Sequence, residues 1–185
     1  WMRLFSRKKT MNKFQIIIIN GSARSGKDLF VELFQKNYNH SYLNWSTIDI
    51  VKEIAQNHLG WDGVKTDASR LFLSEFKRIW NEFNNGAFKF IVDKINSHYQ
   101  SLNQQQRTDV VYFIHCREPE EIEQFKTEYG VKCKTLLLIR PNIDVPDNYS
   151  DRNVSNYKYD FTIDNNGTID DLERKSIELI NMLQR

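Results

Sequence analysis

The chain has 185 residues, 26 Lys and Arg against 24 Asp and Glu, and a formal net charge of +2. That length favours one domain with a sizeable core, and the balanced charge argues against a nucleic-acid binder. Hydrophobic residues make up 40% and charged residues 27%, and no apolar run reaches the roughly 18 residues of a membrane span. The two cysteines, Cys116 and Cys133, show neither a CxxC nor a metal-ligand spacing, which fits a reducing cytoplasm.

Residues 1–12 stand apart as a basic segment. Trp1-Met2-Arg3-Leu4-Phe5-Ser6-Arg7-Lys8-Lys9 is partly apolar and too short for a secretory signal. A start at Trp reads as a fragment or as foreign residues, with Met11 as a natural start, and disorder is expected here. A basic arm for membrane or nucleic acid is the minor alternative. Residues 13–185 are expected to form a single domain.

Phe14 to Asn20 reads as a buried strand, since Ile16-Ile17-Ile18-Ile19 is β-branched throughout and a glycine follows. Gly21-Ser22-Ala23-Arg24-Ser25-Gly26-Lys27 comes next and fits GxxxxGK. A helix follows, from Lys27 to about Tyr38, with Leu29, Phe30, Leu33 and Phe34 on one face. Strand, glycine-bounded loop, lysine and helix together are the context a phosphate-binding P-loop needs. The glycines let several backbone N–H groups point inward. The helix start adds the positive end of its dipole, and lysine adds a full charge. The residue after the lysine is Asp28, where the general pattern has Ser or Thr for magnesium.

Ser41 to Thr47 is a candidate strand and Ile48 to Leu59 a helix stopped near Gly60. Thr66-Asp67 reads as a cap for a helix to about Phe83, broken at Asn84-Asn85-Gly86, with another helix from Ala87 to Tyr99. Ser101 to Thr108 is a polar loop and Val110 to Ile114 a buried strand. Pro119, with Glu120, Glu121 and Glu123 behind it, opens a helix that ends at Gly130. Thr135 to Ile139 is a strand, Pro141 to Lys158 a long irregular loop, and Phe161 to Asp164 a short strand. Thr168 with Asp171 resembles a capping box for the last helix.

Alternating strands and helices imply a parallel sheet covered on both faces, with ligands beyond the carboxyl ends of the strands. The residues so placed are the P-loop, His115-Cys116-Arg117 and Arg140. Lys27 is the phosphate ligand, and Gly21, Ser22, Ala23, Arg24, Ser25, Gly26, Asp28 and Leu29 belong to the same nucleotide site. Asp28 is the candidate magnesium ligand, or else a carboxylate favouring a helix start. Arg117 is a candidate clamp for a moving phosphoryl group, or a surface partner of Glu120 or Glu121. Trp61, Phe76 and Trp80 are read as core before base-stacking groups.

The core, over about residues 14–183, resembles the P-loop small-molecule kinases, and among them the phage-type deoxynucleoside monophosphate kinases and animal-type phosphomevalonate kinases. Four stretches carry this: Gly21 to Asp28, Asp49-Ile50-Val51-Lys52-Glu53, His115-Cys116-Arg117, and Asp160-Phe161-Thr162-Ile163-Asp164-Asn165-Asn166-Gly167-Thr168. The first is specific; the others gain force from their order. The resemblance implies a three-layer α/β P-loop fold with a parallel sheet, a helical acceptor-site insertion and a lid loop. It implies ATP with Mg²⁺, and a small phosphorylated acceptor, first a (deoxy)nucleoside monophosphate, otherwise phosphomevalonate. The protein is then expected to be a monomer or homodimer without membrane or nucleic-acid partners. Lys52, Arg70 and His115 are the implied acceptor-side residues, Arg140 and Arg152 flank the implied lid, and Asn166 and Gly167 lie near the base. One departure is chemical: His115 stands where the relatives carry an acid, and neutral imidazole is a poor Mg²⁺ ligand. A nucleotide-binding regulatory module with impaired catalysis is the alternative this raises.

Overall fold

The four isoleucines of Ile16–Ile19 form the middle of β1 (Gln15–Asn20), and none is more than 1% exposed. Burying each is worth about 1.5–3 kcal/mol, and β-branched side chains on both faces demand cover on both sides. In the computed structural model of the chain, which describes residues 14–141, 154 and 157–184, that cover is supplied by helices. Strand β1 lies at the centre of a five-stranded sheet, between β3 (Val111–His115) and β4 (Cys133–Ile139). The edges are β2 (Tyr42–Ser46) beside β3 and β5 (Phe161–Asp164) beside β4, so the order is β2-β3-β1-β4-β5. Every pairing is parallel, with Ile19 opposite His115 and Asn20 opposite Leu137.

One face packs on α1 (Lys27–Asn37) and α6 (Ile169–Leu183), through Phe30, Phe34, Leu172 and Leu179 against Ile17, Ile19 and Phe113. The other packs on α4 (Gly86–Ser101) and α5 (Pro119–Tyr129), through Ile91, Ile95, Ile122 and Phe125 against Ile16, Ile18 and Ile114. Between β2 and α4 run α2 (Asp49–His58) and α3 (Asp67–Asn84). They form a small cluster of their own, in which Val51, Ala55 and Leu73 meet Trp61, Phe76 and Trp80. Those three aromatics therefore pack between helices, as the core reading expects.

The structure shifts some expected boundaries. Strand β4 starts at Cys133, two residues before Thr135. A single residue, Asn85 (φ 57°), separates α3 from α4, which begins at Gly86. Gly86 is required there, because a Cβ would lie 2.0 Å from Trp80 Nε1. The polar loop contains a 3-10 turn at Gln106–Thr108. Most of the expected lid between Pro141 and Lys158, Arg152 included, falls outside the described residues. Among the described residues no helix is long and apolar enough to cross a membrane.

The capping box at α6 forms as its spacing implies: Asp171 N–H donates to Thr168 Oγ1 at 3.2 Å, and Thr168 N–H to Asp171 Oδ2 at 3.0 Å. Thr168→Ala is expected to cost about 1 kcal/mol in urea unfolding; an unchanged midpoint would show that α6 is held by its apolar face alone.

Candidate active site

Strand β1 ends on Asn20, a fully buried amide. Its Oδ1 accepts the Gly21 N–H at 2.8 Å. Its Nδ2 donates to the Arg117 carbonyl at 3.2 Å and to the Tyr159 hydroxyl at 2.8 Å. One side chain thus ties the loop after β1 to the turn after β3 and to the segment before β5. Sequence reading passed over Asn20; the available signal was a lone polar residue closing an apolar run.

The loop then turns through three positive φ angles: Gly21 at 149°, Arg24 at 62° and Gly26 at 94°. Gly21 has no alternative, since a Cβ would lie 2.4 Å from the Leu138 carbonyl oxygen. Arg24 is a non-glycine in the left-handed region, an uncommon and costly choice. The Ser25 N–H closes a turn on the Ser22 carbonyl at 3.2 Å. Asn165 fastens the far side: its Nδ2 donates to the Ser25 carbonyl at 2.8 Å, and its N–H to the Ile139 carbonyl at 2.6 Å. Asn166 and Gly167, the residues named from the resemblance, are exposed in the adjoining turn, so Asn165 is the one that touches the loop.

Helix α1 begins at Lys27, and no side chain caps it at Gly26. The first-turn amides of a helix have no i−4 partner within it. Lys27 Nζ lies over the loop, donating to the carbonyls of Gly21 at 2.6 Å and Ser22 at 2.8 Å, and to Ser25 Oγ at 3.4 Å. The Asp28 side chain is 89% exposed, and Leu29 is half-buried.

His115 sits at the end of β3, with its Nε2 2.8 Å from Asn44 Oδ1 and 3.8 Å from Asp28 Oδ1. With Asn44 Oδ1 as acceptor, the ring proton is on Nε2. Burial lowers the His115 pKa below the ordinary histidine value; the Asp28 carboxylate opposes this and the Lys27 cation adds to it. The ring is therefore neutral near pH 7. Asn44, on the edge strand, was not named from the sequence.

The remaining candidates lie around this centre. Arg117 is half-buried in the turn after β3, and Arg140 is exposed just after β4. Lys52 pairs with Asp49 at 3.0 Å on α2, and Asp49 also accepts the Ser46 N–H at 2.9 Å. Arg70 is exposed near the start of α3. Arg152 lies outside the described residues. Glu121, read as a helix-start acid or a partner for Arg117, instead pairs with Lys77 at 2.5 Å. Among the described residues no group of three or more His, Cys, Asp and Glu could hold a metal by itself.

No protein family model matches the chain, and no curated protein matches it. Solved structures do. Dephospho-CoA kinase from Campylobacter jejuni is 13% identical, with a TM-score of 0.50, over 91% of this chain and 97% of that one. Shikimate kinase from Aquifex aeolicus is 12% identical, with a TM-score of 0.45, over 91% of this chain and 99% of that one. APS kinase from Mycobacterium tuberculosis is 12% identical, with a TM-score of 0.44, over 91% and 98%. At these identities the likeness to dephospho-CoA kinase shows the fold alone: an α/β, P-loop-kinase-like fold with a parallel sheet ordered 2-3-1-4-5.

The loop geometry gives a direct test. Gly26→Ala puts a Cβ at a φ of 94° and within 2.5 Å of Asn165 Nδ2. The backbone strain should cost about 1–2 kcal/mol in urea unfolding. A variant as stable as the parent would mean the loop can take another path.

Proposed function

We propose that the chain transfers the γ-phosphoryl group of ATP to a small phosphorylated acceptor, with a (deoxy)nucleoside monophosphate the first candidate. The observation that carries this reading is the loop itself. It is a left-handed backbone path on the central strand, with Lys27 Nζ over its mouth and an uncapped helix start behind it. Such a cradle offers several N–H groups and one cation to a polyphosphate.

Phosphoryl transfer asks a protein for position, charge neutralisation and exclusion of water. The loop from Gly21 to Leu29, through amides other than those of Gly21 and Ser25, and the Lys27 ammonium would hold the donor phosphates. Lys27 would exchange its loop carbonyls for phosphate oxygens. Asp28 fits a magnesium site, because it presents one free-standing carboxylate at the loop mouth and Mg²⁺ takes its other oxygens from phosphates and water. Bound there, Mg²⁺ would neutralise charge on the β- and γ-phosphates. Arg117, with Arg140 or Arg152, would offset the charge that spreads over the moving phosphoryl group. Lys52 and Arg70 would grip the acceptor phosphate. Releasing Lys52 from Asp49 is cheap, because exposed pairs of this kind are worth about 0–1 kcal/mol. Asn166 and Gly167 lie beside the loop on the donor-base side. A phosphate acceptor is already ionised, so a neutral His115 need not take a proton. With its Nε2 proton given to Asn44, the ring would offer an acceptor-side hydroxyl only the Nδ1 lone pair.

The same neutral histidine favours a second reading, a nucleotide-binding regulatory module that does not turn ATP over. Phosphomevalonate remains the other acceptor candidate. A coupled ADP assay with magnesium, across the nucleoside monophosphates and phosphomevalonate, separates all three. ADP production that depends on one acceptor supports the kinase reading and names its class. Tight ATP binding without acceptor-dependent ADP supports the module.

Two substitutions test the roles. Lys27→Ala should reduce turnover by about 10²-fold or more, with folding intact and ATP affinity lowered; unchanged turnover would sink the loop assignment. Asp28→Asn keeps size but removes charge. Magnesium-dependent activity should fall further than metal-free nucleotide binding, whereas equal losses would make Asp28 a helix-start residue only.

A further inference from the structure

Directly behind the His115-Cys116-Arg117 turn is a buried polar cluster with no part in the chemistry above. Its centre is Glu121, in the first turn of α5, where an acid would normally face solvent and favour the helix dipole. Here its side chain points inward and is only 4% exposed. Four donors reach it. Lys77 Nζ lies 2.5 Å from Oε2, Thr47 Oγ1 3.2 Å and Cys116 Sγ 3.0 Å from the same oxygen. Asn81 Nδ2 lies 3.2 Å from Oε1.

The donors come from three places: the turn between β2 and α2, the middle of α3, and the turn after β3. Asn81 extends the cluster, because its Oδ1 accepts the Ala87 N–H at 2.9 Å where α4 begins. Thr47 extends it the other way, its N–H donating to the His115 carbonyl at 3.1 Å. Lys77 is only 12% exposed. Burial alone would lower its pKa, but the Glu121 carboxylate and Cys116 outweigh that and raise it, so the ammonium stays charged.

Burying two charges costs several kcal/mol each before their attraction is counted, and apolar residues of the same size often do as well. Stability alone is therefore a poor reason for this cluster. Fixed geometry is a better one, because four directed contacts define one spacing where apolar packing tolerates several.

We propose that Glu121 is a positioning residue, a strut that sets the spacing between the α2–α3 insertion and the turn carrying His115 and Arg117. This rests on the kinase reading, in which Lys52 and Arg70 on the insertion hold the acceptor while Arg117 meets the phosphoryl group. Glu121 touches neither reactant. It acts through Lys77 and Asn81 on one side and through Thr47 and Cys116 on the other.

Cys116 reports on the strut directly. It is 1% exposed, and burial followed by the Glu121 charge pushes its thiol well above the usual range. Movement of α3 away from α5 would open it to a reagent. The test compares the wild-type chain with the Lys77→Met/Glu121→Gln double variant, which removes both charges at nearly constant size and leaves one acceptor oxygen where the carboxylate presented two. Iodoacetamide labelling is read at Cys116 by peptide mass spectrometry, beside acceptor KM and ATP Kd. The expected result is labelling and acceptor KM both raised about tenfold, with ATP Kd within about twofold of wild type.

Faster labelling with an unchanged acceptor KM would assign the cluster to stability and overturn the proposal. So would an ATP affinity that falls in step with the acceptor's. Should the double variant not fold, Thr47→Val removes one donor at constant shape, and the same split is expected at smaller size; no split there overturns the proposal. Should no acceptor be phosphorylated by the wild-type chain, the kinase reading fails by itself. Labelling beside ATP Kd and the urea midpoint then decides the strut: an accelerated Cys116 rate with both unchanged supports it, and an unchanged rate, or acceleration matched by a lowered midpoint, overturns it.

Discussion

The path of the backbone between Asn20 and Lys27 constrains everything around it. It must leave the buried end of β1, pass within contact of the Leu138 carbonyl, and enter a helix that no Gly26 side chain can cap. Three residues in left-handed or otherwise glycine-favouring conformations make that possible, and two of them are glycines. The cost of the third, Arg24, is met by contacts on both flanks. Asn20 holds the entrance and Asn165 holds the Ser25 carbonyl. Contacts from β1 and from the turn after β5 thus keep a short, strained turn in one shape, since strain persists only where the surroundings over-determine it.

That demand explains the division of labour in the sheet. Isoleucines of β1 feed both faces, so the strand is fixed by two separate apolar clusters. A strand pinned in this way can hold the strained loop that follows it in one shape. The opposite choice governs α2 and α3. Their cluster is small, and α3 leaves Leu71, Ile79 and Phe83 exposed. An element with so little buried apolar surface needs directed contacts to fix its position, and the Glu121 cluster provides them.

His115 shows how one substitution alters the electrostatics of such a site. An acid at the end of β3 would add negative charge beside Asp28. The buried neutral imidazole adds none and spends its Nε2 proton on Asn44.

Local signals were legible in the sequence because their partners are a few residues apart. The isoleucine run, the GxxxxGK spacing, the proline at the start of α5 and the Thr168–Asp171 box each specify one element through its own backbone. All of them appear where expected, and alternation of strands and helices gave the parallel sheet. Partners brought together by folding were not legible. Asn44 meets His115 across 71 positions, Asn20 meets Arg117 across 97, and Asn165 meets Ser25 across 140. Glu121 illustrates the difference most clearly. Its sequence context, an acid just after a helix-opening proline, describes a solvated dipole partner. Only the packing of α3 against α5, which brings Lys77 from 44 positions away, turns that carboxylate inward. The chain alone decided most of its strands and helices and the glycine-bounded loop after β1. Which side chains surround that loop was left to tertiary structure, because a hydrogen bond depends on distance in space and a sequence records only distance along the chain.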